Sequence, residues 1–246
     1  MSQHQADAAV EVEGLTKTFD DERAVDDLTF RVEWNEVTGF LGPNGAGKST
    51  TLKVILGLMG PTAGTARVAG REYVRLSEPG RAVGALLETQ QFHPLRRARD
   101  HLLVYTAAIG LDDRRADEVL DLVELGGAAR KKLGSFSLGM KQRLGLATAL
   151  LGDPHILILD EPANGLDPAG MRWLRSFLRG FAGEGRAVLV SSHLLGEVSQ
   201  IADQVVVIDH GRLVVQAKTS ELIARARDGA TLEDVFLDLT GSEAIR

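Results

Sequence analysis

The chain has no cysteine, which excludes disulfides and thiolate metal sites. It also has no apolar run near the ~20 residues that a membrane-spanning helix needs. The polar stretch Met1 to Glu13 lacks an apolar h-region, so no signal peptide is expected. Basic residues are in deficit, 28 Lys and Arg against 34 Asp and Glu, and the net charge of −6 argues against nucleic acid as the main partner. No internal repeat, low-complexity tract or heptad run interrupts the chain. These absences predict a soluble chain in the cytoplasm. Its 246 residues, 44% of them apolar, suffice for one large domain or a domain with a subdomain.

Against that background one stretch is dense in meaning. Residues Gly42, Pro43, Asn44, Gly45, Ala46, Gly47, Lys48, Ser49 and Thr50 fit the phosphate-loop pattern and predict binding of a nucleoside triphosphate. Glycines let successive backbone N–H groups converge on anionic oxygens. A helix beginning near Gly47 aims the positive end of its dipole at the same point. Lys48 adds a cation near the outer phosphates, and the Ser49 hydroxyl suits a Mg²⁺ ligand. The context agrees: Val37–Leu41 before the loop reads as a buried strand, and Lys48 to Leu58 after it reads as a helix.

Three further runs, Ile156–Leu159, Ala187–Val190 and Val205–Ile208, also lack polar alternation. They predict parallel strands covered on both faces. Val10–Phe19 and Leu28–Trp34 alternate more and read as antiparallel strands with one wet face. From about Pro94 to Leu151 the pattern is almost wholly helical, with an apolar stripe at Val119, Leu122 and Val123 that Gly126-Gly127 ends. A later helix starts at Asp167-Pro168, a cap followed by a first-turn proline. It points Met171, Leu174, Leu178 and Phe181 inward and Arg172, Arg175 and Arg179 outward, a row read as a solvated face.

The run Ile156 to Leu159 ends in Asp160 and Glu161, at the strand edge where ligands bind in open α/β sheets. Asp160 can serve Mg²⁺ directly or through water, and Glu161 can polarise an attacking water as general base. His193 also follows a strand, although spacing alone favours an ordinary core or surface histidine there. Phe19, at the end of its strand, reads by itself as core.

Taken in order, these residues resemble the ATP-binding subunit of ABC (ATP-binding cassette) transporters over essentially the whole chain. The segment Phe136 to Arg143 resembles the family signature Leu-Ser-Gly-Gly-Gln in variant form; Asn164-Gly165-Leu166-Asp167 takes the D-loop's place, His193 the switch histidine's, and Phe19 that of the aromatic that stacks on adenine. The resemblance implies an α/β P-loop NTPase with an ABC ATPase core: a parallel sheet flanked by helices, N-terminal antiparallel strands and an inserted helical subdomain at about 94–151. The cassette would occupy residues 8–240, between flexible tails at 1–7 and 241–246.

The implied activity is hydrolysis of ATP with Mg²⁺, by two cassettes facing head to tail. Ser137, Leu138, Gly139 and Met140 would act in trans on the partner's nucleotide, and Asp167 would serve in the D-loop. His193 would hold the γ-phosphate and attacking water. The work would pass to separate membrane permease subunits, which places the chain at the inner face of the cell membrane. Two departures stand out. The Q-loop glutamine register falls on the acid Glu88, which would still ligate Mg²⁺, with Gln90 or Gln91 as alternatives. Leu138 and Met140 replace a glycine and a glutamine common in the signature.

Both departures, with Leu232 to Thr240, are similar to the bacterial drug and lantibiotic exporter branch, so a drug, antibiotic peptide or similar cargo is expected. The segment Glu88–Arg99 is the expected permease contact. The alternative is a non-transport ABC ATPase, either an immunity or regulatory cassette or an ATPase of DNA or ribosomes.

Overall fold

The computed structural model describes residues 8–87, 92–193, 195–198 and 200–225. Two sheets organise them. In the first, β1 (Val10–Phe19) lies between β2 (Glu22–Val32) and β4 (Ala63–Val68), all antiparallel. The second has six strands in the order β5-β6-β7-β3-β8-β9, comprising β3 (Val37–Leu41), β5 (Val83–Leu86), β6 (Ile156–Asp160), β7 (Ala187–Ser192), β8 (Gln204–Asp209) and β9 (Arg212–Lys218). Only the pairing of β9 with β8 is antiparallel.

The four uninterrupted apolar runs are the central strands, and every residue of β3, β6 and β7 is buried. Their alternate residues serve two cores. Leu157, Leu159, Val188 and Val190 face the core beneath the helices, whereas Ile156, Ile158, Ala187 and Leu189 face the antiparallel sheet. Each Val, Leu or Ile side chain among them contributes roughly 1.5–3 kcal/mol of burial, which is why these strands are mostly apolar, with Thr38, Asp160, Ser191 and Ser192 as their buried polar residues.

Helices cover the sheets: α1 (Lys48–Ile55), α2 (Pro79–Ala82), α3 (Ala98–Ala108), α4 (Arg114–Leu122), α5 (Leu138–Leu150), α6 (Pro168–Gly183), α7 (Leu195–Val198) and α8 (Thr219–Arg225). Between residues 92 and 151 the only regular elements are helices and short 3₁₀ turns, and α5 closes that stretch by packing on β5. Gly84 makes the approach possible, since a Cβ there would sit 2.1 Å from the carbonyl oxygen of Ala149.

Three boundaries differ from the sequence reading. Strand β2 begins at Glu22 rather than Leu28, because its first residues pair with the end of β1 (Phe19 opposite Glu22), and it ends before Trp34. The acidic run Asp20 to Glu22 hides this, as does Asp27, whose φ of +51° marks an irregularity in the ladder. Helix α1 stops at Ile55, not Leu58: Gly57 turns left-handed (φ +65°), and the N–H groups of Gly57 and Leu58 close on the carbonyls of Val54 and Lys53. Helix α4 ends the same way, but on Glu124 (φ +59°) rather than on Gly126-Gly127. There the N–H groups of Glu124 and Leu125 reach the carbonyls of Asp121 and Leu120. Leu122 is half exposed, and Leu120 takes its place in the apolar stripe with Val119 and Val123. In α6, Leu174, Leu178 and Phe181 are buried as expected, but the arginine row is not simply solvated: Arg175 and Arg179 hydrogen-bond to Gln200.

The helical stretch contains one titratable outlier. His101 on α3 is buried between the rings of Phe92 and Tyr105, and its Nδ1 has no hydrogen-bond partner. Burial, and secondarily the charge of Arg96, lowers its pKa from 6.5 to about 4. The folded state therefore binds the proton less readily than the unfolded chain. His101 contributes stability that is complete above pH 6.5 and is lost as pH falls toward 4. Replacing it by leucine is expected to flatten the acid-side loss of unfolding free energy by about 2 kcal/mol in urea titrations across that window. A slope equal to that of the wild type would contradict this account.

Candidate nucleotide site

The site forms where β3 and β6 deliver their C-terminal ends side by side with β7. The chain leaves β3 through Gly42 to Gly47, and Gly47 (φ +97°) caps α1. Glycine is required at that position. The left-handed φ is one reason, and the other is that a Cβ would lie 2.4 Å from the carbonyl oxygen of Ala24. A cavity of about 320 Å³ opens above the loop, lined by Asn44, Gly45, Gly47, Lys48, Ser49 and Thr50 of the loop and by Ala24, Glu161, Asn164 and His193.

Lys48 is buried, and its Nζ folds back over the loop to donate to the carbonyls of Gly42 (2.7 Å) and Pro43 (3.1 Å). It stands 3.8 Å from Glu161 Oε1. Glu161 Oε2 in turn meets His193 Nδ1 at 2.9 Å. The chain thus brings cation, carboxylate and imidazole together from the ends of three strands. Glu161 has φ +49°, a left-handed conformation that costs a non-glycine residue about 1–3 kcal/mol and is characteristic of functional sites. A buried relay holds it there: its N–H donates to Ser191 Oγ (3.0 Å), and the Ser191 hydroxyl donates to Asp160 Oδ1 (2.5 Å).

Asp160 is buried beneath the cavity rather than lining it. Among the described residues no group of three or more His, Cys, Asp or Glu side chains could hold a metal ion. The candidate donors, the Ser49 hydroxyl on the cavity wall and the buried Asp160 carboxylate outside that lining, are both oxygen. They fit Mg²⁺, which prefers one or two protein oxygens together with phosphates and water.

The other expected residues lie outside the cavity. Phe19 ends β1 and is 44% exposed, not in the core, and Lys17 Nζ sits 5.1 Å from its ring centroid. Ser137 caps α5 by accepting from the Met140 N–H (3.2 Å), leaving its own O–H to donate, and Leu138 beside it is exposed. Leu138 packs over Gly165, where a Cβ would collide with it, so the signature-like turn and the segment before α6 are in contact. Gly139 lies against Leu166 from the same side, and Met140 packs into the helical core. Asp167 caps α6, accepting from the Gly170 N–H at 2.7 Å. Glu88, Gln90 and Gln91 lie outside the described residues, as does Leu232 to Thr240.

Three contributors escaped the sequence reading. Ala24 and Asn164 line the cavity and Ser191 orients the acids. Asn164 stands within a quoted motif; Ala24 and Ser191 carry no local signal.

Residues 25–164 match the family described as ABC transporter. The bacitracin transport ATP-binding protein BcrA of Bacillus licheniformis is 41% identical over 216 residues, covering 87% of this chain and 71% of that protein. The lantibiotic transport ATP-binding protein SrtF of Streptococcus pyogenes is 35% identical, over 84% of this chain and 90% of that one. A solved ATP-binding subunit of an ABC transporter superposes with a TM-score of 0.83 at 29% identity, over 94% of this chain and 99% of that one. No described helix is long and apolar enough to cross a membrane. With a phosphate loop, a paired acid and histidine above it and these relatives, the chain belongs to the ABC transporter family and is an ATP-binding cassette of the ATPase type.

Proposed function

We propose that this cassette hydrolyses MgATP in a dimer with a second cassette, identical or paralogous, and drives export of a drug, antibiotic peptide or similar cargo. Separate membrane permeases would carry the cargo, with the cassette at the cytoplasmic face. The observation carrying this reading is the convergence of Lys48, Glu161 and His193 on one cavity above the phosphate loop.

The loop amides and Lys48 hold the β- and γ-phosphates, and Phe19 offers its exposed ring to adenine. Ser49 and Asp160, with Glu88 as a further oxygen donor, would hold Mg²⁺, which would supply positive charge to offset that of the phosphates. Glu161 takes a proton from water as the water oxygen attacks the γ-phosphorus; the bond to the ADP oxygen breaks, giving ADP and phosphate. His193, held by Glu161, orients the γ-phosphate.

Ser137 to Met140 line no part of the cavity, and Leu138 is exposed. A second cassette in head-to-tail arrangement gives the Ser137 hydroxyl and the start of α5 a γ-phosphate to bind, while Asp167 shapes the adjoining D-loop. The relatives named for bacitracin and lantibiotic transport support the cargo class.

The permease contact is Glu88–Arg99; Leu95 within it is exposed, as are Val104 and Tyr105 on α3 and Ile109 after it. Steady-state phosphate release by the purified chain with MgATP tests the enzymatic reading, and its absence would refute it. Reversing the charges of Arg96 and Arg97 is expected to cut co-purification with the permease about tenfold or more while leaving ATP binding unchanged. Intact assembly and transport would remove this surface from the reading.

A further inference from the structure

We propose that Asp26 is a positioning residue that locks the base-binding end of the site to the phosphate loop through the β8–β9 turn. That turn is His210-Gly211, with φ values of 45° and 77°, a two-residue primed hairpin. Gly211 is a backbone bridge. Its N–H donates to the carbonyl of Ala46 in the phosphate loop (3.0 Å), and its carbonyl accepts from the Asp26 N–H (2.9 Å). No side chain fits there, since a Cβ would lie 2.9 Å from the Ala24 oxygen and from Val25 Cα.

The Asp26 carboxylate closes the bridge. Oδ1 accepts from Arg23 Nη1 at 2.7 Å, and Oδ2 accepts from Arg212 Nε at 2.7 Å with Arg212 Nη2 at 2.5 Å. The Asp26 side chain is 13% exposed, whereas its two arginines are 58% and 70% exposed. Arg23 first and then Arg212 hold this carboxyl below the usual carboxylate range. Exposed ion pairs add little to stability, but charge-assisted bonds that join distant segments fix geometry. Here the joined segments are the β1–β2 hairpin end and the β8–β9 turn. Arg23 pairs with Thr18 in the hairpin, one residue from Phe19, and Ala24 beside it lines the cavity.

The phosphates are gripped by the loop itself, which does not depend on this carboxylate. The base is gripped only if the Phe19 ring stays at stacking distance from a nucleotide anchored elsewhere. Asp26 sets that spacing. The inference rests on the proposed stacking of adenine on Phe19.

Calorimetry of the full chain with Mg²⁺, using ATP and inorganic tripolyphosphate as paired probes, tests it. Asp26→Asn is expected to weaken ATP about tenfold and leave tripolyphosphate unchanged, with an unaltered unfolding midpoint, because the backbone bridge through Gly211 remains. Arg212→Ala, at an exposed position, should give the same selective loss and serves if the first variant does not fold. The double variant should be no weaker than either single. Asp26→Glu should recover part of the ATP affinity. Equal weakening of both probes, or of neither, overturns the proposal. Phe19→Ala separates the premises: if it lowers ATP preference and Asp26→Asn does not, the clamp alone fails; if it has no effect, the stacking reading and the clamp both fail.

Discussion

Lys48→Ala is expected to weaken MgATP binding by about a hundredfold or more. One charge pair near 4 Å at an effective dielectric of about 20 contributes roughly 4 kcal/mol before desolvation, and every 1.4 kcal/mol is about tenfold in affinity. Lys48 also does structural work inside the loop, because its ammonium is the donor to the carbonyls of Gly42 and Pro43. Truncation removes the cation and loosens the turn that presents the amides. Glu161 would also lose the cation 3.8 Å away, adding to the negative field at the phosphates. Calorimetry with MgATP reads the effect. Unchanged affinity in a folded Lys48→Ala protein would contradict the placement of the phosphates above this loop.

Glu161→Gln should separate catalysis from binding. An amide cannot accept a proton from water, so turnover is expected to fall about 10²- to 10⁴-fold while nucleotide affinity is kept or raised. The geometry favours a clean result. The amide can still hydrogen-bond His193, and the relay that holds this residue uses its backbone N–H to Ser191, which the substitution leaves in place. A second consequence follows from the proposed dimer: with hydrolysis blocked, ATP should trap a species of twice the mass in size-exclusion chromatography. Phosphate release within tenfold of wild type would remove Glu161 as the general base. Loss of nucleotide binding together with turnover would assign it a structural role instead.

The contrast between these variants tracks what was legible beforehand. The phosphate loop was readable because backbone geometry and charge chemistry confine it to one short stretch, where Gly47 permits neither a different φ nor a side chain. The strands β3, β6, β7 and β8 were readable because burial on both faces favours apolar residues along nearly their whole length, Thr38 being a polar exception within β3. Boundaries set by single residues were less so. Glu124 ends α4 in a conformation usually left to glycine, and the acidic start of β2 reads as a turn until β1 is beside it. The short strands β4, β5 and β9 escaped for a related reason. Strand β4 is rich in Ala and Gly with little buried surface, β5 has four residues, and β9 gets its order from pairing with β8.

The site divides along the same line. Residue types and their order were enough to identify a triphosphate cradle, an acid pair at a strand tip and a histidine after another strand, since each chemistry needs particular atoms at short chain separation. Which of them meet was decided only in three dimensions. Glu161 and His193 are 32 positions apart, and Ser191, which orients both acids, has no motif of its own. Asp26 and Arg212 are 186 positions apart. The ends of parallel strands converge because sheet order, not chain order, sets their neighbours. Local sequence thus determined the chemistry on offer, and the packing of β3 between β7 and β8 determined which groups act together.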